Sequence, residues 1–537
     1  MQTKSKKTDN KMKNMNPIFS LKNFRSFGEE GADFELAPIT VLTGCNSAGK
    51  SSLVKALMLL SKEKTYNTNS FAGDRKQPDG TLKVSNPELV LGGYKDVVHL
   101  RDTNKELVFS YSMWSKYLNE EVICKRVYGH KKGVRDEGEL RKLTIEKKDG
   151  TEIYRAFLDN TIVFDNDGTE SVDYFLNEYD GIHDLINNIK GEYQTFLSVY
   201  AYIFYSFLEK KSSKRHPEGD IHKKALELQA EACEQLIAAG LTIEKAEKYD
   251  EGIIFEWHNI NHPLEKSMWD KEYEDSLTDE EKDALGLEKF YNCVVNEIVS
   301  PWFIKDPSFI DSSSNKISRA YNVKDTDKFS VLLCELVNNS STNEYTTSQF
   351  VNNWLTKYKI GDKLTVVGVG AGLGAEIYIH NKGVKRLLAD EGYGITQLAS
   401  LLLQIDLIKN KHQYNDNNEN IAYAPAFISV EEPEIHLHPE YQSKLAEMFV
   451  EAYQKFNIHF IIETHSEYLI RRLQVLVADK ENAITPKDIS LNYVEKDRNT
   501  GVSSNRKIEV CEDGYLDDTF GEGFFDEATR WSKKLIF

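Results

Sequence analysis

The chain has 537 residues, 40% of them hydrophobic and 28% charged, which is the make-up of a folded protein and too apolar for an extended disordered one. Its net charge of −18 excludes a surface coated in nucleic acid, although a local basic groove stays compatible with that total. Its six cysteines are scattered with no CxxC pair, which argues against a zinc hook, a zinc finger or a disulfide framework.

Residues 1–15 are basic and polar and lead into no apolar run, so they read as a flexible tail, not a secretory leader. Ile18 to Leu21, Phe34 to Leu36 and Ile39 to Thr43 are strand-like, and a glycine-rich turn then opens the helical pattern Ser52 to Leu60. Asn86 to Leu100 reads as a loop with short elements. From residue 101 the texture changes to short strands (LVFSYSM, LTIEKK, IYRAFL, TIVF) as far as Phe164. Helical patterns follow at Tyr193 to Lys211, Ile221 to Ala239 and Asp270 to Asn296. The longest apolar stretch, Phe196 to Leu208, is broken by serines and tyrosines and is too short for a bilayer, so the expectation is a cytoplasmic chain without a membrane span. Polar linkers are expected at Asp311 to Asn315 and Asn338 to Ser348, before apolar strand and helix texture returns from Trp354 to Val475. The predicted organisation is one α/β domain split by an insertion. A tail (1–15) precedes its first part (16–100), a mixed α+β and helical insertion (101–355), its second part (356–480) and a short C-terminal extension (481–537).

Gly44-Cys45-Asn46-Ser47-Ala48-Gly49-Lys50-Ser51 fits GxxxxGK[ST], with a buried strand before it and a helix after it. Glycines let such a backbone curl so that its N–H groups point at phosphate oxygens, and the helix N-terminus adds the positive end of its dipole. Gly44, Asn46, Ser47, Ala48, Gly49, Lys50, Ser51 and Ser52 are therefore candidate ATP-binding residues, Lys50 facing the β- and γ-phosphates and the Ser51 hydroxyl ligating Mg²⁺. Ala426 to Glu432 (AFISVEE) is an apolar strand ending on two carboxylates. Glu431 is the candidate Mg²⁺ holder and Glu432 the candidate acceptor of a proton from the attacking water. The strand His459 to Glu463 ends in Thr464-His465-Ser466, which puts His465 near the γ-phosphate and that water.

Between the two nucleotide motifs, Asp390 to Gln397 (DEGYGITQ) places glycines, a hydroxyl and an amide ahead of the helical run LASLLLQIDLI. Gly394, Thr396 and Gln397 read as a second phosphate-binding helix end, one that serves a neighbouring copy's nucleotide; a plain helix cap is the other reading. His436 and His438 form an HxH, but no further ligand cluster accompanies them and they sit in the loop after the paired acids. Gly370 to Ala375 fits GxGxxA, yet the next residues, EIYIHNKGVKR, alternate like a strand, so a tight turn is expected there. The basic clusters Lys131 to Arg135 and Lys210 to His216 read either as solvated loops or as nucleic-acid contacts.

The order of GCNSAGKS (Gly44 to Ser51), the glycine loop, EEPEIHLHP (Glu431 to Pro439) and ETHS (Glu463 to Ser466) resembles the ABC-type ATPases of the SMC and RecF group. Within it, the chain most resembles the bacterial ATPases similar to overcoming-lysogenization-defect proteins. The resemblance implies an ABC-type P-loop ATPase head split by a large insertion, using ATP and Mg²⁺ and pairing as a homodimer or higher oligomer with ATP sandwiched between heads. It also implies a place in anti-phage defence, like PtuA-like subunits of Septu or Septu-type retron systems, controlling a separate effector such as an HNH-type nuclease. Too little chain follows His465 for a Toprim nuclease domain, and the acidic tail shows no DxD, so no nuclease activity is expected of this chain alone. Two rivals stay open: an ATP-dependent nuclease with its metal site in the insertion, and a RecF-like DNA clamp.

Overall fold

Ile39–Gly44 (β3), the apolar run before the glycine-rich turn, is buried at every position, as befits a strand covered on both faces. The structure is a computed structural model. It describes residues 15–63, 81–86, 89–115, 120–157, 162–164, 170–172, 176–178, 298, 301–305, 308–311, 318–322, 328–338, 340, 342–370, 373–414, 425–479, 481, 484–521 and 524–536. The three helical patterns expected between residues 193 and 296, and the Lys210 to His216 cluster, lie outside the described residues.

Ahead of β3 come Ile18–Lys22 (β1) and Ala32–Glu35 (β2), and after the turn comes the helix Ser51–Ser61 (α1). Leu107–Ser115 (β4), Glu137–Lys147 (β6) and Glu152–Phe157 (β7) contain or overlap the strand-like runs expected after residue 101, and Glu120–His130 (β5) and Leu176–Glu178 (β8) are two strands that were not expected. They pair antiparallel in the order β8-β7-β6-β5-β4-β1-β2, so this sheet is continuous across residue 100. β4 alternates buried and half-buried residues along its whole length, the pattern of a sheet with one face on the core. The Lys131 to Arg135 cluster is the turn between β5 and β6, where Lys131 pairs with Glu137 at 3.0 Å.

The second sheet is built from distant parts of the chain: Ser308–Asp311 (β9), Ala426–Glu431 (β10), Ile458–Glu463 (β11), β3, Ile489–Lys496 (β12) and Ser503–Ile508 (β13). Its order is β9-β10-β11-β3-β12-β13, with only β13 antiparallel to its neighbour. Membership here differs from the sequence boundaries. β9 comes from the segment expected as insertion, and β12 and β13 come from the expected C-terminal extension. β12 lies directly against β3, where backbone pairing over six residues and burial outweigh the polar Ser490 and Asn492. Asn338 to Ser348, expected as a linker, contains a short strand, Glu344–Thr346; it pairs with Lys363–Val369, and Tyr345 bonds Asp406 at 2.7 Å. Lys363–Val369 and Gly374–Asn381 form a hairpin with Gly370 at φ +63, the tight turn expected there.

Because side chains alternate along a strand, the second sheet feeds two cores. Leu42, Phe427, Ile461 and Val494 face α1 and the antiparallel sheet, while Val41, Ile428, Ile462 and Tyr493 face the other side. That other side is covered by the helices Gln349–Lys357, Tyr393–Tyr414, Pro439–Phe456 and Glu467–Ala478. α1 has eight buried residues of eleven, so it is wedged between layers, which an all-round apolar helix requires. Phe520 and Phe524 pack edge-on against Tyr493 at 5.6 and 5.4 Å, holding the C-terminal segment on the sheet.

Candidate nucleotide site

The turn from β3 to α1 depends on backbone that only glycine adopts freely. Gly44 has φ +134, and a Cβ there would stand 2.1 Å from the Val494 carbonyl; Gly49 has φ +106. The loop is held from both sides: the Ala48 N–H donates to the Cys45 carbonyl (3.2 Å), and the Ser503 hydroxyl donates to the Ala48 carbonyl (2.6 Å). Cys45, Asn46 and Ser47 are exposed at its crest, whereas Lys50 is buried. Lys50 Nζ donates to the carbonyls of Gly44 (3.2 Å) and Cys45 (3.1 Å) and stands 4.0 Å from Glu463. Burial lowers its ammonium below the usual range, opposed first by Glu463 and then by Glu432, Cys45 and Glu431. α1 begins at Ser51 with no side-chain cap; the Ser52 N–H donates to the Gly49 carbonyl (2.9 Å), and the Ser52 hydroxyl has no partner.

Parallel pairing sets Glu431 beside Glu463 at the tips of β10 and β11, with Leu42 of β3 opposite Glu463. The chain then turns sharply. Glu432 has φ +45, a left-handed conformation uncommon for glutamate, and its N–H donates to the Glu463 carbonyl at 2.7 Å. His465 Nε2 lies 3.7 Å from Glu432 Oε1 and makes no hydrogen bond. Burial, and then the Lys50 charge, push the imidazole below its ordinary range, opposed by Glu432. Lys50, from the first part of the chain, and Glu431, Glu432 and His465, from its last quarter, are four sequence candidates that thus meet at one end of a parallel sheet, together with Glu463.

Two members of this group were not among the sequence candidates. Glu463 is 8% exposed, and burial, with the Glu431 charge adding, pushes its carboxyl up to about 7. Arg25 follows β1 at φ +55, and its guanidinium faces Glu463 and Glu431. Burial lowers that guanidinium, and Nη1 has no partner. A single arginine in a turn leaves no spacing signature, and in the sequence Glu463 reads only as the end of a strand.

Burial of Glu463 has a measurable consequence. Its folded pKa lies above the unfolded value, so its stabilising share is complete below about pH 4.5 and is lost as pH rises through about 7. Glu463→Gln removes that titration. In nucleotide-free protein with EDTA, the variant is expected to gain roughly 1–3 kcal/mol over the parent at pH 8 and little at pH 4.5. Melting at both pH values checks this; equal differences at the two would refute the assignment.

The helix Tyr393–Tyr414 starts earlier than the sequence implied, which changes the places of the candidates there. Thr396 and Gln397 fall in the first turn and are buried; the Thr396 hydroxyl donates to the Tyr393 carbonyl (2.6 Å), and neither polar atom of Gln397 has a partner. Gly394 packs against its own chain, where a Cβ would meet the His436 carbonyl at 2.8 Å. What faces outward at this helix end is Gly392, with open space around it, and Tyr393, 54% exposed and edge-on to His436 at 4.6 Å. His438 caps the helix Pro439–Phe456 by accepting from the Glu440 N–H at 3.3 Å, which accounts for half of the HxH pair.

These donors fit the group expected between them. A curled loop, a buried lysine and a helix start without a side-chain cap suit a phosphate tail, and Ser51 with Glu431 offers the hard oxygens that Mg²⁺ prefers. The DUF3696 family, described as of unknown function, matches residues 484–535. Over 64 residues, 12% of this chain, the sequence is 39% identical to the DNA replication and repair protein RecF of Picosynechococcus sp., and the chain spans only 16% of that protein's length. Among solved structures, the Smc head domain of Pyrococcus furiosus, bound to the C-terminal domain of ScpA, is 11% identical at a TM-score of 0.31, covering 97% of this chain and 100% of that one. The SMC head domain of Thermotoga maritima is 10% identical at 0.34, covering 92% and 100%. No helix among the described residues is long and apolar enough to cross a membrane. The AAA ATPase domain family matches residues 18–470, most of the length, and the chain belongs to that family.

Proposed function

We propose that this ATPase hydrolyses ATP between two copies of itself and that the resulting cycle of pairing and release controls a separate effector. The convergence of Lys50, Glu432 and His465 at one sheet end carries the reading. Lys50 and the loop N–H groups hold the β- and γ-phosphates, and Ser51 and Glu431 hold Mg²⁺. When bound, that ion neutralises charge on the transferring phosphoryl group. Glu432 accepts a proton from water as the water oxygen bonds to the γ-phosphorus and the bond to the bridging oxygen breaks, releasing ADP and phosphate. His465 donates toward the γ-phosphate and the water from beside Glu432, and Arg25 adds positive charge near Glu463 and Glu431.

The helix end at Gly392 to Gln397 is proposed to complete the partner's site in trans. Gly392→Trp tests this better than a change at Gly394, because a side chain at Gly392 would start in open space, whereas a Cβ at Gly394 would meet the His436 carbonyl at 2.8 Å. Gly392→Trp and Lys50→Ala are each expected to be inactive. Mixed, they form one interface with an intact loop facing an intact helix end, so about a quarter of the parental ATPase rate should return. Two proteins that stay inactive despite demonstrated heterodimers would end the shared-site reading.

The motif resemblance supports a role in anti-phage defence, with an HNH-type nuclease as the effector. The local identity to RecF supports the other reading, a DNA-repair clamp whose output is DNA binding. The two differ in what stimulates turnover: duplex DNA with no partner accelerates the ATPase of a clamp, whereas a defence regulator responds to its effector.

A further inference from the structure

The turns that carry Glu432 and His465 are tied together twice. One tie, from the Glu432 N–H to the Glu463 carbonyl, continues the strand ladder. The other is a side chain: Glu434, two residues past Glu432, accepts the His465 N–H on Oε1 at 2.6 Å. Glu434 is 8% exposed. Burial pushes its carboxyl up, opposed first by the His465 N–H, then by its own N–H and the Thr464 hydroxyl. A carboxylate buried this deeply is an expensive way to occupy a turn.

The neighbours of His465 are anchored independently of it. The Thr464 N–H donates to the Leu42 carbonyl (3.0 Å), and the Ser466 N–H donates to the Thr464 hydroxyl (3.0 Å). Ser466 Oγ donates to Gln442 (2.6 Å) and caps the following helix through the Leu469 N–H (3.2 Å). Between these two fixed residues, the His465 N–H is held by Glu434.

We propose that Glu434 is a positioning residue for ATP hydrolysis: its carboxylate sets the His465 backbone so that Nε2 stands at Glu432, coupling the turn after β10 to the turn after β11. This rests on the reading of Glu432 and His465 as the groups that handle the attacking water. Glu434 itself touches no reacting atom. What it supplies is an acceptor at a fixed reach, so geometry matters and its charge does not.

Three variants separate reach from charge. Glu434→Gln keeps an acceptor oxygen at the same distance without the charge; Glu434→Asp keeps the charge but is one methylene short; Glu434→Ala has neither. With purified full-length protein, ATP affinity is expected within about threefold of the parent in all three. The turnover number is expected to fall about 10- to 100-fold in the Asp and Ala variants and to return within about threefold of the parent in Gln, since a displacement near 1 Å has effects of that size. A Gln variant as slow as Ala, or an Asp variant at the parental rate, overturns the proposal; the Gln and Asp pair decides it even where Ala fails to fold. Glu432→Gln is assayed alongside. If that variant turns over normally, the underlying reading of the site has failed; if it is inactive while Glu434→Asp is not, only the positioning role has.

Discussion

Glu432→Gln is expected to bind ATP as tightly as the parent and to hydrolyse it at least about 100-fold more slowly, accumulating an ATP-bound dimer. The substitution keeps the length of the side chain and the left-handed backbone at φ +45, so it removes the proton acceptor without remodelling the turn. Lys50→Ala is expected to fail earlier, at binding. Its ammonium now rests on the Gly44 and Cys45 carbonyls, contacts a phosphate would replace. Its loss also leaves Glu463 without its nearest cation, so the alanine variant should lose stability faster than the parent as pH rises from 5 to 8. Fluorescent-nucleotide titration, phosphate release and size-exclusion chromatography with ATP read the three outcomes. Near-parental hydrolysis by Glu432→Gln would remove Glu432 from the chemistry.

Gly44→Ala is expected to be among the most damaging single-atom changes in the described part of the chain. The added Cβ would sit 2.1 Å from the Val494 carbonyl, far inside contact distance, in a backbone conformation at φ +134 that alanine avoids. Neither party can give: Val494 is fixed by the pairing of β12 with β3, and Gly44 is the last residue of β3. A loss of at least about 3 kcal/mol is expected, with nucleotide binding lost in step. Gly133→Ala is the control. It also has positive φ, at +83, but meets nothing within 4 Å, so it should lose only about 1 kcal/mol. Comparable urea midpoints for the two variants would mean that β12 does not press on the loop strand.

What the sequence made legible was local chemistry. GCNSAGKS, the paired acids after AFISV and the ETHS run are short stretches in which a few residue types serve one purpose, and each falls at the end of a strand in one sheet. β1, β2, β3 and α1 were legible for the same reason, because period and turn residues lie within a dozen positions of each other. Partnership between distant segments was not. Ile489–Lys496 reads ISLNYVEK, with polar residues on alternate positions like an edge strand, yet its first six residues are buried. Asn492 and Ser490 are accommodated by bonding each other (3.1 Å), with Asn505 donating to Asn492 (2.8 Å), a satisfaction no composition count can foresee. The burial of Thr396 and Gln397 was not legible, because the helix begins at Tyr393, three residues ahead of the Thr396 hydroxyl. Arg25 matters through carboxylates that lie more than 400 residues further along the chain.

The placement of β3 also governs how this protein is made. Both of its neighbours, β11 and β12, emerge from the ribosome more than 400 residues after it. Through most of synthesis the loop strand has no sheet to join, and its apolar run must stay shielded or be held by chaperones. Contacts this remote in sequence fold slowly, because the entropy of closing so long a stretch must be met before pairing gives anything back. A nascent chain is therefore expected to be unable to bind ATP until residues 489–496 have cleared the exit tunnel, which makes nucleotide binding a late checkpoint of assembly.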